Sequence, residues 1–197
     1  MASSQNTSPL SPWLLWLAAP LLCVVVGFAL LPRPVDVATQ TKVERKRGTA
    51  VVFDKAPKVR SKLGVNLQNK VRIVGVDLPS KAVGQGERLR VKTVFEALSS
   101  MNSDWQIFLH IDLAEGNNFR IHGDHHPAGG RMKTSLWKKG DFVVDDFTKR
   151  VPLDAPSGKY NVWLGFYSGS QRLRFVSGDA KRHDGDNRIK LGTITVQ

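Results

Sequence analysis

The residues best equipped for chemistry gather in one stretch, His122-Gly-Asp-His-His126, with His110 and Asp112 a short distance upstream. Imidazole and carboxylate groups are the side chains that bind zinc and related divalent ions. Such an ion needs three or four converging ligands, and neighbours in extended chain, such as His125 and His126, point to opposite sides. The same stretch is rich in turn formers: Gly123, Asp124, Pro127, Gly129 and Gly130. Asp124 is expected to cap a turn through its carboxylate, Pro127 to fix the chain, and Gly129 and Gly130 to take positive φ. The expectation is a structural hairpin or cross-sheet connection over residues 122–130 that orders without metal. No metal and no cofactor are assigned, and His110, Asp112, Asp124 and His125 stand as candidate binding residues.

A second group, Trp137, Asp141 and Asp145, pairs a large ring with carboxylates and could stack a sugar or bind calcium. Calcium takes about 6–8 oxygen ligands, and Asp145 with Asp146 supplies two. In a β-sandwich such a tryptophan is more often core, packed against the opposite sheet. Two carboxylates flanking a glycan would suggest hydrolysis only if they face each other across a cleft of roughly 5–10 Å. No nucleophile elbow, phosphate-binding loop or zinc-protease helix signature is present. Catalysis is therefore not expected, and Trp137 and Asp145 join the candidate binding residues.

The elements that must position these residues read as strands. Runs rich in β-branched and aromatic residues recur at 71–76, 89–95, 105–111, 119–121, 142–151, 160–167, 173–176 and 189–196, separated by turn-rich segments. Alternation supports strands over helices: Leu89, Val91, Thr93 and Phe95 share one face, and Arg88, Arg90 and Lys92 the other. Trp105, Ile107, Leu109 and Ile111 repeat the pattern, which leaves Gln106, Phe108, His110 and Asp112 on a face polar enough to carry a site. Pro156 to Tyr160 reads as a tight turn with positive φ at Gly158, and Gly165 as a bulge or a close approach. The spacing predicts an all-β fold, an antiparallel sandwich of immunoglobulin-like or jelly-roll-like type.

A chain of 197 residues allows one ordinary domain and an appendage. Residues 13–32 carry no charge, and about 20 apolar residues cross a ~30 Å hydrocarbon core as a helix. A single transmembrane helix is expected there, after a polar segment at 1–12 and before a basic tether at 33–64 whose short apolar patch, Thr49–Phe53, has room for one edge strand, with the sandwich over 65–197. Residues 33–60 hold 8 Lys/Arg against 3 Asp/Glu, which suits contact with anionic lipid headgroups. The rest of the +12 formal charge is dispersed and accompanied by no nucleic-acid reader motif, so nucleic acid is not an expected partner. Cys23, the one cysteine, lies in the apolar run, so the domain can form no internal disulfide and no thiolate metal site.

The order of motifs is distinctive: Val71-Arg-Ile-Val-Gly-Val-Asp77, Gly86-Glu-Arg-Leu-Arg-Val91, Phe108-Leu-His-Ile-Asp112, Gly123-Asp-His-His-Pro-Ala-Gly-Gly130, Thr134-Ser-Leu-Trp137, Gly140-Asp-Phe-Val-Val-Asp145 and Gly158-Lys-Tyr-Asn-Val-Trp-Leu-Gly-Phe-Tyr167. Over residues 65–197 this resembles the extracytoplasmic β-sandwich found C-terminal to bacterial polytopic glycosyltransferases of the mannosyltransferase-like class. The resemblance implies a fold and a place on the outer side of the inner membrane, and no activity, because one spanning helix cannot supply a many-helix catalytic core. The positive-inside rule points the other way, since Arg33, Lys42, Arg45, Lys46 and Arg47 all follow the apolar run and no basic residue precedes it. The expectation follows the resemblance: a non-catalytic module at the cell envelope that binds glycan or glycolipid. The alternatives are a structural subunit docking on another membrane protein and, more distantly, a metal-dependent enzyme.

Overall fold

The structure, a computed structural model, describes residues 51–197; the expected membrane helix and most of the tether lie outside the described residues. Eleven strands follow in order: β1 (Val52–Phe53), β2 (Ser61–Leu67), β3 (Val71–Asp77), β4 (Arg88–Ala97), β5 (Gln106–Leu113), β6 (Arg120–His122), β7 (Phe142–Arg150), β8 (Gly158–Ser168), β9 (Gln171–Arg172), β10 (Phe175–Ser177) and β11 (Ile189–Val196). The helical content described is three single 3₁₀ turns, at Pro127–Gly130, Thr134–Leu136 and Ala180–Arg182. None of the described helices is long and apolar enough to cross a membrane.

The strands form two antiparallel sheets. One has six strands in the order β1-β7-β4-β3-β2-β10, and the other runs β11-β8-β5-β6 with β9 paired to the end of β8. An all-β antiparallel sandwich is thus observed. Period-two burial fits it: Leu89, Val91, Thr93, Phe95 and Ala97 of β4 are buried, while Arg88 and Arg90 are exposed. The sheets meet over Phe95 from β4 and Phe166 from β8, whose rings sit edge to face at 5.1 Å. Trp137 joins them at 6.0 and 6.1 Å. Such pairs contribute about 0.5–1.5 kcal/mol each beyond burial of their area.

β2 was not among the runs read as strands. Its sequence, Ser-Lys-Leu-Gly-Val-Asn-Leu, breaks the β-branched pattern with Gly64, which sits at φ +67° beside a shift of register against β3. Val65 and Leu67 are nevertheless fully buried. The sheet also reaches back to β1, inside the stretch read as tether, where Val52 and Phe53 pair with Val143 and Phe142 of β7. The turn before β8 carries a tyrosine corner: the Tyr160 hydroxyl, on a fully buried ring, donates to the Pro156 carbonyl at 2.7 Å.

Candidate functional site

Strand alternation divides the histidine-rich stretch between two faces. β6 pairs with β5 so that His122 lies opposite His110 and Ile121 opposite Ile111. Beyond β6 the chain stays extended, with His125 and Ile107 exchanging two backbone hydrogen bonds at 2.8 and 2.9 Å. His110, His122 and Asp124 therefore share the outer face of the five-stranded sheet, whereas His125 points inward. The neighbours His125 and His126 do diverge, as expected for extended chain.

Inward, His125 meets Asp145 of β7, so this contact joins the two sheets. His125 Nε2 lies 2.9 Å from Asp145 Oδ2 and its Nδ1 lies 2.5 Å from the Gly123 carbonyl oxygen. The Gly123 carbonyl accepts, and so does Asp145 when ionised, an arrangement that favours a proton on each ring nitrogen, the imidazolium form. Burial is the largest influence on its pKa and opposes the charge, but the hydrogen bond and charge of Asp145, with the Gly123 carbonyl, outweigh it and hold the pKa above the usual value. The cation also stacks on Phe147 at 4.5 Å, an arrangement favourable to a positive ring. The other oxygen of Asp145 accepts from the Ala128 amide at 2.8 Å. The cap of this turn is thus Asp145, reached from the opposite sheet, and not Asp124. Gly129 and Gly130 take positive φ as expected, and Ala128 does so too, at 53°. Asp145 is therefore committed to the loop and has no free face for a ligand.

Trp137 is likewise core: it is 1 % exposed, and its Nε1 donates to the Met132 carbonyl. It offers no face to a sugar. Asp141 caps its own turn by accepting from the Lys138 amide, and Asp146 points outward to pair with Arg90. These carboxylates do not converge on a calcium site.

The outer face of the five-stranded sheet holds the remaining candidates. Opposite pairs across β5 and β8 are Gln106 with Tyr167, Phe108 with Gly165, His110 with Trp163 and Asp112 with Asn161. Gly165 marks a close approach: a β-carbon there would lie 2.2 Å from Phe108 Cζ, so the ring occupies the space that a side chain would fill. The Arg172 guanidinium covers that ring at 4.9 Å, and Arg188 covers Trp163 at the same distance. Asp112 is gripped by Arg120 at 2.6 and 2.9 Å and by Arg188 at 3.0 Å. Those guanidinium groups outweigh its burial and hold its carboxyl below the usual range. Its role is to fix the two arginines in place.

A cavity of about 230 Å³ opens beside this array, lined among others by Phe108, His110, Asp124, Tyr167, Ser170 and Arg172. The Tyr167 hydroxyl donates to Gln106 at 2.8 Å, and burial followed by the charge of Asp124 raises its pKa. Tyr167, Arg172 and Trp163 were not among the sequence candidates. Trp163 and Tyr167 are in phase with Asn161 and Gly165, out of step with buried Val162, Leu164 and Phe166, and that alternation was the signal. Larger hollows lie elsewhere. One, about 420 Å³, is lined by Arg60, Arg88, Arg90 and Lys92 with Asp77; another, about 650 Å³, lies beside residues 56–59, and a third, about 410 Å³, beside Leu113 and Gly158.

No family model matches this chain, and no curated protein matches it. Among solved structures, the chain is similar to the C-terminal domain of wzt at 12 % identity and a TM-score of 0.45, covering 83 % of this chain and 89 % of that one. It is also similar to a Niemann-Pick type C2 protein from Japanese carpenter ant at 10 % identity and a TM-score of 0.45, covering 71 % of this chain and 100 % of the other. At that level neither likeness carries an argument about ligand or mechanism.

Proposed function

We propose that this domain is a non-catalytic binding module whose outer five-stranded face takes a polar sugar of an envelope glycan or glycolipid. The observation that carries the reading is the cavity that gathers Tyr167, His110, Asp124 and the Arg172 guanidinium beside the arginine-covered ring of Phe108. Sugars are recognised by planar side chains and by donors and acceptors arranged around vicinal hydroxyls. The planar groups here are the Tyr167 ring and the Arg172 guanidinium, because the Phe108 ring beneath Arg172 is only 3 % exposed, and Asp124 and Ser170 supply polar groups. Asp112 is engaged by arginine and Asp145 by His125, and Asp124 is the single carboxylate among the residues lining the cavity, whereas hydrolysis of a glycoside takes a pair.

In this proposal residues 13–32 anchor the module in the bacterial inner membrane, the basic tether lies on anionic lipid, and the domain works on the extracytoplasmic side, as the resemblance to glycosyltransferase-linked sandwiches implies. A docking subunit is the second reading, favoured by the hollow lined by Val59, Val74 and Phe142. It has less behind it, because the exposed large apolar side chains among the described residues are Leu153 and Val176, on separate segments.

The test is binding of the full chain, purified in detergent, to an array of bacterial envelope glycans, followed by titration of the best ligand. Arg172→Ala should weaken that ligand at least about tenfold, the loss expected of a charge-assisted hydrogen bond. Equal binding by the variant would remove the cavity from the proposal, and a cytoplasmic domain in a topology-reporter fusion would overturn the envelope reading.

A further inference from the structure

We infer that His110, His122 and Asp124 form a binding site for a divalent transition-metal ion on the rim of the ligand cavity. One ligand atom from each of the three lies within 4.8 Å of the other two. The His110 and His122 rings meet edge to face at 5.5 Å, and His110 Nε2 lies 3.8 Å from Asp124 Oδ1. Two imidazoles and a carboxylate are a donor set suited to zinc and neighbouring first-row ions, with water completing the shell. The inference is independent of the glycan reading.

The placement follows from pairing and alternation. His110 and His122 are directly opposite across β5 and β6, and Asp124 returns to the same face two residues later. A zinc ion bonded at about 2.0–2.1 Å to tetrahedral ligands needs those atoms about 3.3 Å apart, so the triangle must tighten slightly. His122 and Asp124 are both exposed and can make that adjustment by rotation, while His110, held between the strands, sets the position. The charge balance also fits. The Asp124 carboxylate has no other hydrogen-bond or ion-pair partner among the described residues, and His110 Nδ1 is buried without one. An ion bound through His110 Nε2 would give the Asp124 carboxylate the cationic partner it otherwise lacks, and the buried His110 Nδ1 takes no part in the site. His110 and Asp124 also line the 230 Å³ cavity, so an ion here presents its open coordination positions to whatever enters it. Ordering of the 122–130 loop does not depend on this ion, because the inward His125–Asp145 contact holds that loop separately.

The experiment uses the full chain without an added histidine tag, stripped with chelator in detergent and titrated with Zn²⁺ by calorimetry and with Co²⁺ by visible absorption. One ion per chain is expected, with the d–d bands of a four- or five-coordinate cobalt site. His122→Ala and Asp124→Asn, both at exposed positions, should each weaken binding at least about tenfold. His126→Ala, altering an exposed histidine outside the triangle, should leave binding unchanged. Equal Zn²⁺ affinity in the wild type and the His122→Ala variant, or no cobalt spectrum at millimolar ion, would overturn the proposal. Because the readout is the ion alone, its failure is distinguishable from failure of the glycan reading.

Discussion

His125 and Asp145, twenty residues apart in sequence and on opposite sheets, face each other at 2.9 Å as an imidazolium and a carboxylate that is 3 % exposed. The pair fastens the loop after β6 to the inner face of β7. Lys149 reinforces the same seam by donating to the His122 carbonyl.

Removing one member of a buried charge pair leaves the other uncompensated, at a cost of about 3–5 kcal/mol. His125→Ala should therefore lower stability by roughly 3 kcal/mol, whereas His126→Ala, one position on and exposed, should change it by less than about 0.5 kcal/mol. Urea unfolding of the two variants checks this. Equal midpoints would mean that the pair does not join the sheets.

Stability should depend on pH in two separable windows. His125 has its pKa raised above 6.5 in the folded state, so its contribution is complete below about pH 6.5 and is lost as the pH rises through the raised value. His110 has its pKa lowered, first by burial and then by the charge of Arg120. Its contribution is complete above about pH 6.5 and is lost as the pH falls through the lowered value. In metal-free protein, Asp145→Asn should flatten the alkaline limb and spare the acid one. A variant with both limbs intact would contradict the assignment.

Gly165→Ala should disturb both stability and binding. The added carbon would meet Phe108 Cζ at 2.2 Å and the Asn187 carbonyl oxygen at 2.8 Å, and that second contact is backbone. Overpacking of this kind costs about 1–3 kcal/mol. The Phe108 ring should be displaced from beneath Arg172, and a shift of its aromatic NMR resonances together with a lower melting temperature would register it. Unchanged resonances would show that the ring does not lie over this glycine.

Gly158→Val should also destabilise the domain. Gly158 has φ +156°, and a β-carbon there would lie 3.2 Å from Leu113 Cδ1 at the corner where Tyr160 ties back to Pro156. Backbone in this region costs a non-glycine residue about 1–3 kcal/mol. An unchanged melting temperature would remove the strain from the account of this turn.

The loop over residues 122–130 should keep its order when metal is removed. The Ala128 amide donates to Asp145, so its hydrogen exchange should stay slow in chelator and become fast in Asp145→Ala. Fast exchange in chelator alone would show that the loop is organised by an ion.

Much of the fold was legible in the residues themselves. Alternation in β4, β5 and β8 assigned each side chain to one of two faces, because successive residues of a strand point to opposite sides wherever the strand lies. Glycine at 129, 130 and 158 announced backbone that other residues avoid. Period two, however, does not say what the inner face meets. Asp145 looked like a ligand-ready carboxylate by residue type, yet it lies on the buried phase of β7, and only the packing of one sheet on the other brings His125 to it. Trp137 sits outside any strand, so alternation could not place it; the gap between Phe95 and Phe166 decided that it is core. β2 escaped detection because Gly64 and Asn66 interrupt its apolar run, and pairing with β3 supplied what its own sequence lacked. The grouping of His110 with His122 and Asp124 depends on register, a relation between two chain segments that neither segment encodes alone.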